Sequence, residues 1–151
     1  MSRVLAIDIG GTKIEAGIVT ADGTVVCRAR VPSTDPVDAD DLFARVAKVA
    51  AEVRDDDESE LVCGVGCGGP MRLAGTAVSP LNIAVWRDFP LQERLRDATG
   101  LDTYIDNDDI RSHMHRKCGR FAKQLPSDVP PLSRLLLLPP PSSLLPLPPF
   151  L

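Results

Sequence analysis

Two buried strands separated by a pair of glycines constrain this 151-residue chain more than any other feature. The apolar run at residues 4–7 is typical of a buried strand, and residues 14–19 are typical of a second one. Gly10 and Gly11 lie between the two runs, where a tight turn can take a positive backbone φ because glycine has no Cβ. The chain is therefore predicted to begin with an antiparallel hairpin, not with the strand and helix of a Rossmann fold.

The residues around this turn have the chemistry of a phosphate-binding loop. A turn without side chains at two successive positions lets backbone N–H groups approach a phosphate closely. Thr12 adds a hydroxyl donor and Lys13 a positive charge, while Asp8 at the strand end is placed to hold Mg²⁺ or a metal-bound water. An ordinary Gly-Gly hairpin is the simpler alternative, but it requires none of these three side chains. The spacing matches neither GxxxxGK[ST] nor a GxGxxG that opens a helix.

Beyond this turn the chain alternates between strand and helix patterns. Apolar residues recur at helical spacing from Leu42 to Val53, and Asp38 suits the N-cap of this helix of about four turns. A second helix is predicted from Pro90 to Gly100, because proline suits the first turn and glycine the C′ position. The predicted strands are residues 3–9, 14–20, 24–31, 61–66 and 101–105, with a short strand pair within residues 73–78. This order predicts an α/β domain whose first three strands are antiparallel.

Charge is distributed unevenly along the chain. Residues 1–109 contain 11 Lys and Arg against 20 Asp and Glu, whereas residues 110–151 contain six basic residues and one acid. The overall net charge of −4 therefore combines an acidic main part with a basic end. An acidic main part argues against general nucleic-acid binding. The acidic run at residues 55–58 is predicted as a solvated loop, since consecutive carboxylates point in different directions.

The cysteines and the start of the chain indicate a reducing compartment. Cys27, Cys63, Cys67 and Cys118 contain no CxxC pair and no zinc-ligand cluster. Cys63 and Cys67 are expected to be small core residues. Arg3 leads directly into a strand, and we identify no signal peptide. We therefore expect a cytoplasmic protein with free thiols and no membrane partner.

Residues 8–13, with the sequence Asp-Ile-Gly-Gly-Thr-Lys, resemble the first phosphate motif of the ROK family of sugar kinases and sugar-responsive repressors. The resemblance implies the actin-like ATPase (ribonuclease H-like) fold, with residues 3–109 as an N-terminal lobe built on a mixed five-stranded sheet. It also implies ATP and Mg²⁺ as cofactors, with Asp8 as the metal-binding residue. The implied phosphate-binding residues are Gly10, Gly11, Thr12 and Lys13.

Two later segments resemble the sugar-binding part of the family. Residues 64–70 resemble the stretch whose closing glycine, here Gly69, borders the bound sugar, although small residues also suit close packing. Residues 79–91 resemble the loop and helix start that cover the sugar pocket. Within them, Asn82 either faces sugar hydroxyls or caps its own loop, and both interpretations stay open. Trp86 is expected to be a core residue.

An Asn-Asp pair follows the last predicted strand. Residues 106–109 place an acidic cluster at the carboxyl end of that strand, where the sites of open sheets lie, although Asn-Asp is also a common helix cap. The pair Asn107 and Asp108 matches the family pair, in which the aspartate is the base that accepts the proton of the sugar hydroxyl. The resemblance thus implies Asp108 as catalytic base and Asn107 as a sugar contact. Asp109 stands where the family usually has a small residue.

As a whole, the resemblance implies a glucokinase-like hexose kinase that transfers the γ-phosphoryl group of ATP to a sugar hydroxyl. Its partners would be a hexose and a nucleotide, and its full-length relatives are expected to be homo-oligomers. A regulator of this family would need a helix-turn-helix ahead of Asp8, and only seven residues precede it. The alternative is a non-catalytic sugar-binding fragment or a remnant of such a regulator. Because kinases of this type close two lobes over the substrate, one lobe alone is expected to be inactive.

The resemblance stops after Asp109. Residues 110–151 contain nine of the 14 prolines, which remove backbone donors and block helices and internal strands. An irregular or disordered tail is predicted, with a proline-rich binding tail as the functional alternative. So abrupt a change suggests a shifted reading frame or truncation of a longer gene. The family's zinc motif is absent, because His113, His115 and Cys118 do not have its spacing.

Overall fold

A computed structural model describes residues 3–20, 22–55 and 60–107. These residues form five strands, two helices and one turn of 3₁₀ helix. In chain order the strands and helices are β1 (Arg3–Ile9), β2 (Lys13–Thr20), β3 (Val25–Pro32), α1 (Ala39–Val53), β4 (Glu60–Cys67), α2 (Leu91–Thr99) and β5 (Asp102–Asn107). The predictions for the tail at residues 110–151 lie outside the described residues.

All five strands belong to one mixed sheet in the order β3-β2-β1-β4-β5. β1 and β2 are antiparallel, as are β2 and β3, whereas β4 runs parallel to both β1 and β5. This arrangement confirms the predicted mixed sheet with three antiparallel strands at its start. Ile9, Cys67 and Asn107 end three adjacent parallel strands in register, so the loops after these strands leave the sheet at one edge.

One face of the sheet carries the hydrophobic core. Ile7 pairs with Ala16 and Val65, Val65 pairs with Ile105, and all four side chains are buried. Helix α1 packs on β2 and β3, and helix α2 packs on β5. Because successive side chains of a strand point to opposite faces, Asp8 lies on the face away from this core.

A specific cap fixes one end of each helix at the predicted position. The Asp38 carboxylate accepts a hydrogen bond of 2.7 Å from the Asp41 N–H, as an N-cap does. At the end of α2, Gly100 adopts a left-handed φ of 71° and donates its N–H to the Arg96 carbonyl at 2.8 Å. Among the described residues, neither helix combines the length and apolar character needed to cross a membrane.

A tight Asp-Gly turn joins β2 to β3. Gly23 has a φ of 89° and donates its N–H to the Thr20 carbonyl at 2.8 Å. The Asp22 carboxylate accepts hydrogen bonds from the Thr20 hydroxyl and from the Thr24 N–H, and these bonds lower the pKa of Asp22 below its usual value. Hydrogen bonds to the charged form thus hold the turn together above that pKa, and the stabilisation is lost as the pH falls through it.

The predicted strand pair within residues 73–78 is wrong. Leu73–Gly75 form a turn of 3₁₀ helix, and Val78 makes isolated bridges to its neighbouring segments. Gly75 supplies the physical reason, because it has a φ of 76° and a Cβ built on it would lie 2.5 Å from the Cβ of Ile105. The backbone therefore bends closely over β5 at this point and does not continue as a strand.

Cys63 and Cys67 are fully buried, as predicted, and neither is part of a disulfide. Burial raises the pKa of the Cys63 thiol to about 12. Since the thiolate is the reactive form, we expect iodoacetamide to alkylate Cys63 at pH 8 at least ~10²-fold more slowly in the folded chain than in urea. Mass spectrometry of a Cys118→Ser variant measures both rates, with the half-buried Cys27 as internal comparison. Equal rates for Cys63 in the two states would contradict its burial.

Candidate functional site

The segments predicted to bind phosphate and sugar follow strands that end at the same edge of the sheet. Residues 10–12 follow β1, and Gly69 lies in the loop after β4. Asn107 is the last residue of β5 and is described by its backbone, whereas Asp108 lies outside the described residues. The carboxyl ends of parallel strands are where open α/β sheets bind ligands. The fold thus brings together segments that are far apart in the sequence.

Glycines in the phosphate turn provide space, not an unusual backbone conformation. The turn is closed by a hydrogen bond of 2.9 Å from the Gly10 N–H to the Lys13 carbonyl. The expectation of positive φ is wrong, because neither Gly10 nor Gly11 lies in the left-handed region. A Cβ built on Gly11 would instead lie 2.8 Å from the Cβ of Asn82, closer than real Cβ atoms come to one another. Close approach of Asn82 therefore explains the glycine at position 11.

This contact joins the phosphate turn to the loop predicted to cover the sugar. Asn82 itself is exposed at the surface. The preceding residue, Leu81, donates its N–H to the Gly69 carbonyl at 3.2 Å, and Ser79 donates to the Pro70 carbonyl at 2.8 Å. The phosphate turn at Gly11 therefore adjoins the loop that carries Asn82, and this loop is hydrogen-bonded to Gly69 through Leu81. The sequence indicated Gly11, Asn82 and Gly69 separately but not their proximity.

The loop that carries Asn82 is held by buried aromatic residues. Trp86 is fully buried, stacks on Phe89 with ring centroids 4.5 Å apart, and donates its indole N–H to the Ala39 carbonyl at 3.1 Å. The prediction of Trp86 as a core residue is confirmed. Arg87, which the sequence did not indicate, donates to the carbonyls of Pro80 and Ile83 at 3.2 and 2.8 Å. These contacts fix the loop against the start of α1.

Two carboxylates flank a glycine on the face opposite the core. Asp8 pairs with Gly66 on β4, and Gly66 pairs with Asp106 on β5. The two aspartates are thus two strand spacings, about 10 Å, apart along the sheet. Within the described residues no three His, Cys, Asp or Glu side chains converge to hold a metal. Mg²⁺ is commonly held by one or two carboxylates together with phosphate oxygens and water, and Asp8 offers one such carboxylate.

Lys13 is exposed for about half of its surface and is paired locally. Its Nζ lies 3.2 Å from the Glu15 carboxylate, which also has the Arg28 guanidinium at 3.7 Å. The exposed fractions of the Lys13 and Glu15 side chains are 54% and 17%. An exposed ion pair of this kind contributes little to stability, so Lys13 can turn toward an incoming phosphate at small cost.

Ser33 is a residue of this site that sequence reasoning missed. It lies directly after β3 and is only 4% exposed. Its hydroxyl donates to the Gly10 carbonyl at 2.6 Å, and its N–H donates to the Thr12 carbonyl at 3.1 Å. A serine after a strand carries no motif or periodicity, so only the three-dimensional structure identifies it.

Comparison with known proteins decides the family. The ROK family model matches residues 4–114, well over half of the chain. The chain belongs to the ROK family. The phosphate turn, the Asn82 loop and the Asn-Asp pair all lie within the matched residues.

Named relatives of this ROK protein are sugar kinases. Over 108 residues it is 34% identical to N-acetylmannosamine kinase of Yersinia pseudotuberculosis, covering 72% of this chain and 36% of the relative. Over 107 residues it is 28% identical to glucokinase of Thermotoga maritima, covering 70% and 33%. The chain therefore spans about a third of the length of the curated relatives it matches.

A solved structure with the same fold is the ROK family glucokinase from Streptomyces griseus in complex with glucose and AMPPNP. It superposes with a TM-score of 0.64 at 27% identity, covering 71% of this chain and 33% of the glucokinase. The described sheet and helices thus have the actin-like fold of ROK sugar kinases, as the sequence predicted.

The close contact at Gly11 leads to a prediction about stability. Gly11→Ala forces the Asn82 backbone and Cβ to move, and overpacking of this kind typically costs about 1–3 kcal/mol. Gly68→Ala is the matched control, because a Cβ there meets only Pro80, at 4.0 Å. Urea unfolding should show a clear loss in the free energy of unfolding for Gly11→Ala. For Gly68→Ala this free energy should change by no more than about 0.5 kcal/mol. Equal effects in both variants would contradict the contact.

Proposed function

We propose that the full-length form of this protein is a glucokinase-like, ATP-dependent hexose kinase, with residues 3–109 as its N-terminal lobe. The contact of Gly11 with Asn82 is the observation that carries the proposal. Phosphoryl transfer depends on holding the phosphate and the attacking hydroxyl within reach of each other. A phosphate turn that touches a sugar loop meets this requirement.

Each candidate residue has a role in the proposed reaction. Asp8 holds Mg²⁺, which neutralises phosphate charge when bound. Asp108 accepts the proton of the attacking sugar hydroxyl, and its pairing with the sugar is supported by the family resemblance. Phosphates are held by Gly10, Gly11, Thr12 and Lys13, and the sugar is held by Gly69, Asn82 and Asn107.

The hydroxyl-bearing substrate is proposed to be a hexose, with glucose tested first. Matched relatives include a glucokinase and an N-acetylmannosamine kinase, so N-acetylmannosamine is the second sugar to test. The same family resemblance supports a cytoplasmic homo-oligomer as the full-length form. Because this chain spans about a third of these relatives, the chain alone is proposed to be inactive.

A chimera tests the proposal. Residues 1–109 are joined to the part of the Streptomyces griseus glucokinase that this chain does not match, and glucose phosphorylation is measured by coupled detection of ADP. We expect ATP-dependent turnover in this completed chimera and none in the 151-residue chain. A folded chimera that binds glucose and nucleotide without turnover would contradict the proposed kinase function.

The alternative, a non-catalytic sugar-binding fragment, gives a different result. Calorimetric titration of the 151-residue chain with glucose would then show saturable binding, and the completed chimera would stay inactive. Weak or absent glucose binding by the chain, together with turnover by the chimera, would favour the kinase lobe.

A further inference from the structure

We infer that Ser33 is a positioning residue for phosphate binding: its two hydrogen bonds turn the carbonyls of the phosphate turn inward, so that backbone N–H groups face the ligand. This inference rests on the proposed function, in which residues 10–13 bind phosphate. Ser33 acts through the turn, since its buried hydroxyl bonds to the backbone and not toward the surface.

Peptide geometry connects Ser33 to the N–H groups of the turn. In a trans peptide the C=O of one residue and the N–H of the next point in opposite directions. The Gly10 carbonyl accepts from the Ser33 hydroxyl at 2.6 Å, so the Gly11 N–H points away from Ser33. The Thr12 carbonyl accepts from the Ser33 N–H at 3.1 Å, so the Lys13 N–H likewise points away.

This orientation matters because a phosphate is attracted by N–H groups and repelled by carbonyl oxygens. A pair of glycines has few barriers to rotation of its peptide planes, so the turn could present either group. Asn82 contacts Gly11, while Ser33 holds the neighbouring Gly10 and Thr12 carbonyls. The turn is therefore held in place before the ligand arrives, and such preorganisation strengthens binding.

A purely structural role would predict a loss of stability without a specific loss of phosphate affinity. Thr99 provides the matched control, since its nearly buried hydroxyl donates to the Leu95 carbonyl at 2.7 Å. Thr99 lies at the end of α2, at the opposite end of β5 from Asn107. Thr99→Val removes this bond, and the one that the hydroxyl accepts from the Leu101 N–H at 3.2 Å, without touching the phosphate turn.

The experiment is a titration of the ¹⁵N-labelled 151-residue chain with tripolyphosphate and Mg²⁺, followed by the amide signals of residues 10–13. In the unmodified chain, saturable shifts are expected at these amides. Ser33→Ala should raise the dissociation constant about 10-fold, the effect of losing one preorganising hydrogen bond. Ser33→Thr, which keeps the hydroxyl, and Thr99→Val should bind like the unmodified chain.

The outcomes separate the inference from the proposed function. If Ser33→Ala bound tripolyphosphate at residues 10–13 with unchanged affinity, the inference would be overturned. The assignment of residues 10–13 as the phosphate-binding turn would be retained. Absence of shifts at residues 10–13 in the unmodified chain would overturn both the inference and the assignment of this turn. Equal weakening in Ser33→Ala and Thr99→Val would show a general stability effect and would also overturn the inference.

Discussion

Asp108→Asn in the completed chimera should lower turnover by about 10²–10⁴-fold, the range expected for loss of a general base. The amide keeps the size and shape of the side chain but cannot accept the proton of the sugar hydroxyl. The Michaelis constant for glucose should change little, because the interaction is lost mainly in the transition state. Steady-state kinetics with varied glucose at saturating Mg·ATP measure both quantities.

Asp109→Asn is the matched control for this prediction. It removes a neighbouring carboxylate in the same acidic cluster and should leave turnover close to that of the unmodified chimera. Near-full turnover of the Asp108→Asn chimera would show that another group is the base. Loss of turnover in Asp109→Asn alone would identify that group.

Trp86→Ala should have the largest effect on stability, about 3–5 kcal/mol of the free energy of unfolding. The side chain is fully buried, its ring stacks on Phe89, and its N–H bonds to the Ala39 carbonyl. Domains of this size are stable by only about 5–15 kcal/mol, so the variant should unfold at much lower urea concentration. Circular dichroism during urea unfolding measures the change.

Leu81→Ala is the control within the same loop, because Leu81 is 80% exposed and should contribute within about 0.5 kcal/mol. For Trp86→Phe the loss in the free energy of unfolding should lie between those of Trp86→Ala and Leu81→Ala, since phenylalanine keeps an aromatic ring beside Phe89 but lacks the indole N–H. A Trp86→Ala chain as stable as the Leu81→Ala chain would refute the proposed support of the Asn82 loop.

The sequence predicted the sheet and helices well because their signals are local. Buried apolar runs such as residues 4–7 indicate strands. Asp38 marks the start of α1 through its side-chain carboxylate, and Gly100 marks the end of α2 through its left-handed backbone. Leu73–Gly75 was misjudged, since its 3₁₀ turn depends on the close approach of Gly75 to Ile105, about 30 residues further along the chain. Such a contact leaves no periodic pattern.

The site was predictable only in part for the same reason. Motif resemblance identified Gly11 and Asn82 one by one, but their contact and the bonds of Ser33 depend on how three segments meet in space. The φ of Gly11 was misjudged because glycine suits both unusual backbone conformations and close approach. Asp108 lies outside the described residues, and its role as base stays a prediction.

A crystal structure of the completed chimera with glucose and AMPPNP would locate both ligands relative to Asp108 and the phosphate turn. The measured quantities are the distances from the Asp108 carboxylate to the nearest sugar hydroxyl and from the terminal phosphate to the Gly11 N–H. We expect both distances to lie within hydrogen-bond range, about 2.6–3.2 Å between heavy atoms, with the sugar beside Asn82. A nucleotide whose phosphates lie away from residues 10–13, or a sugar away from Asn82 and Asp108, would contradict this expectation.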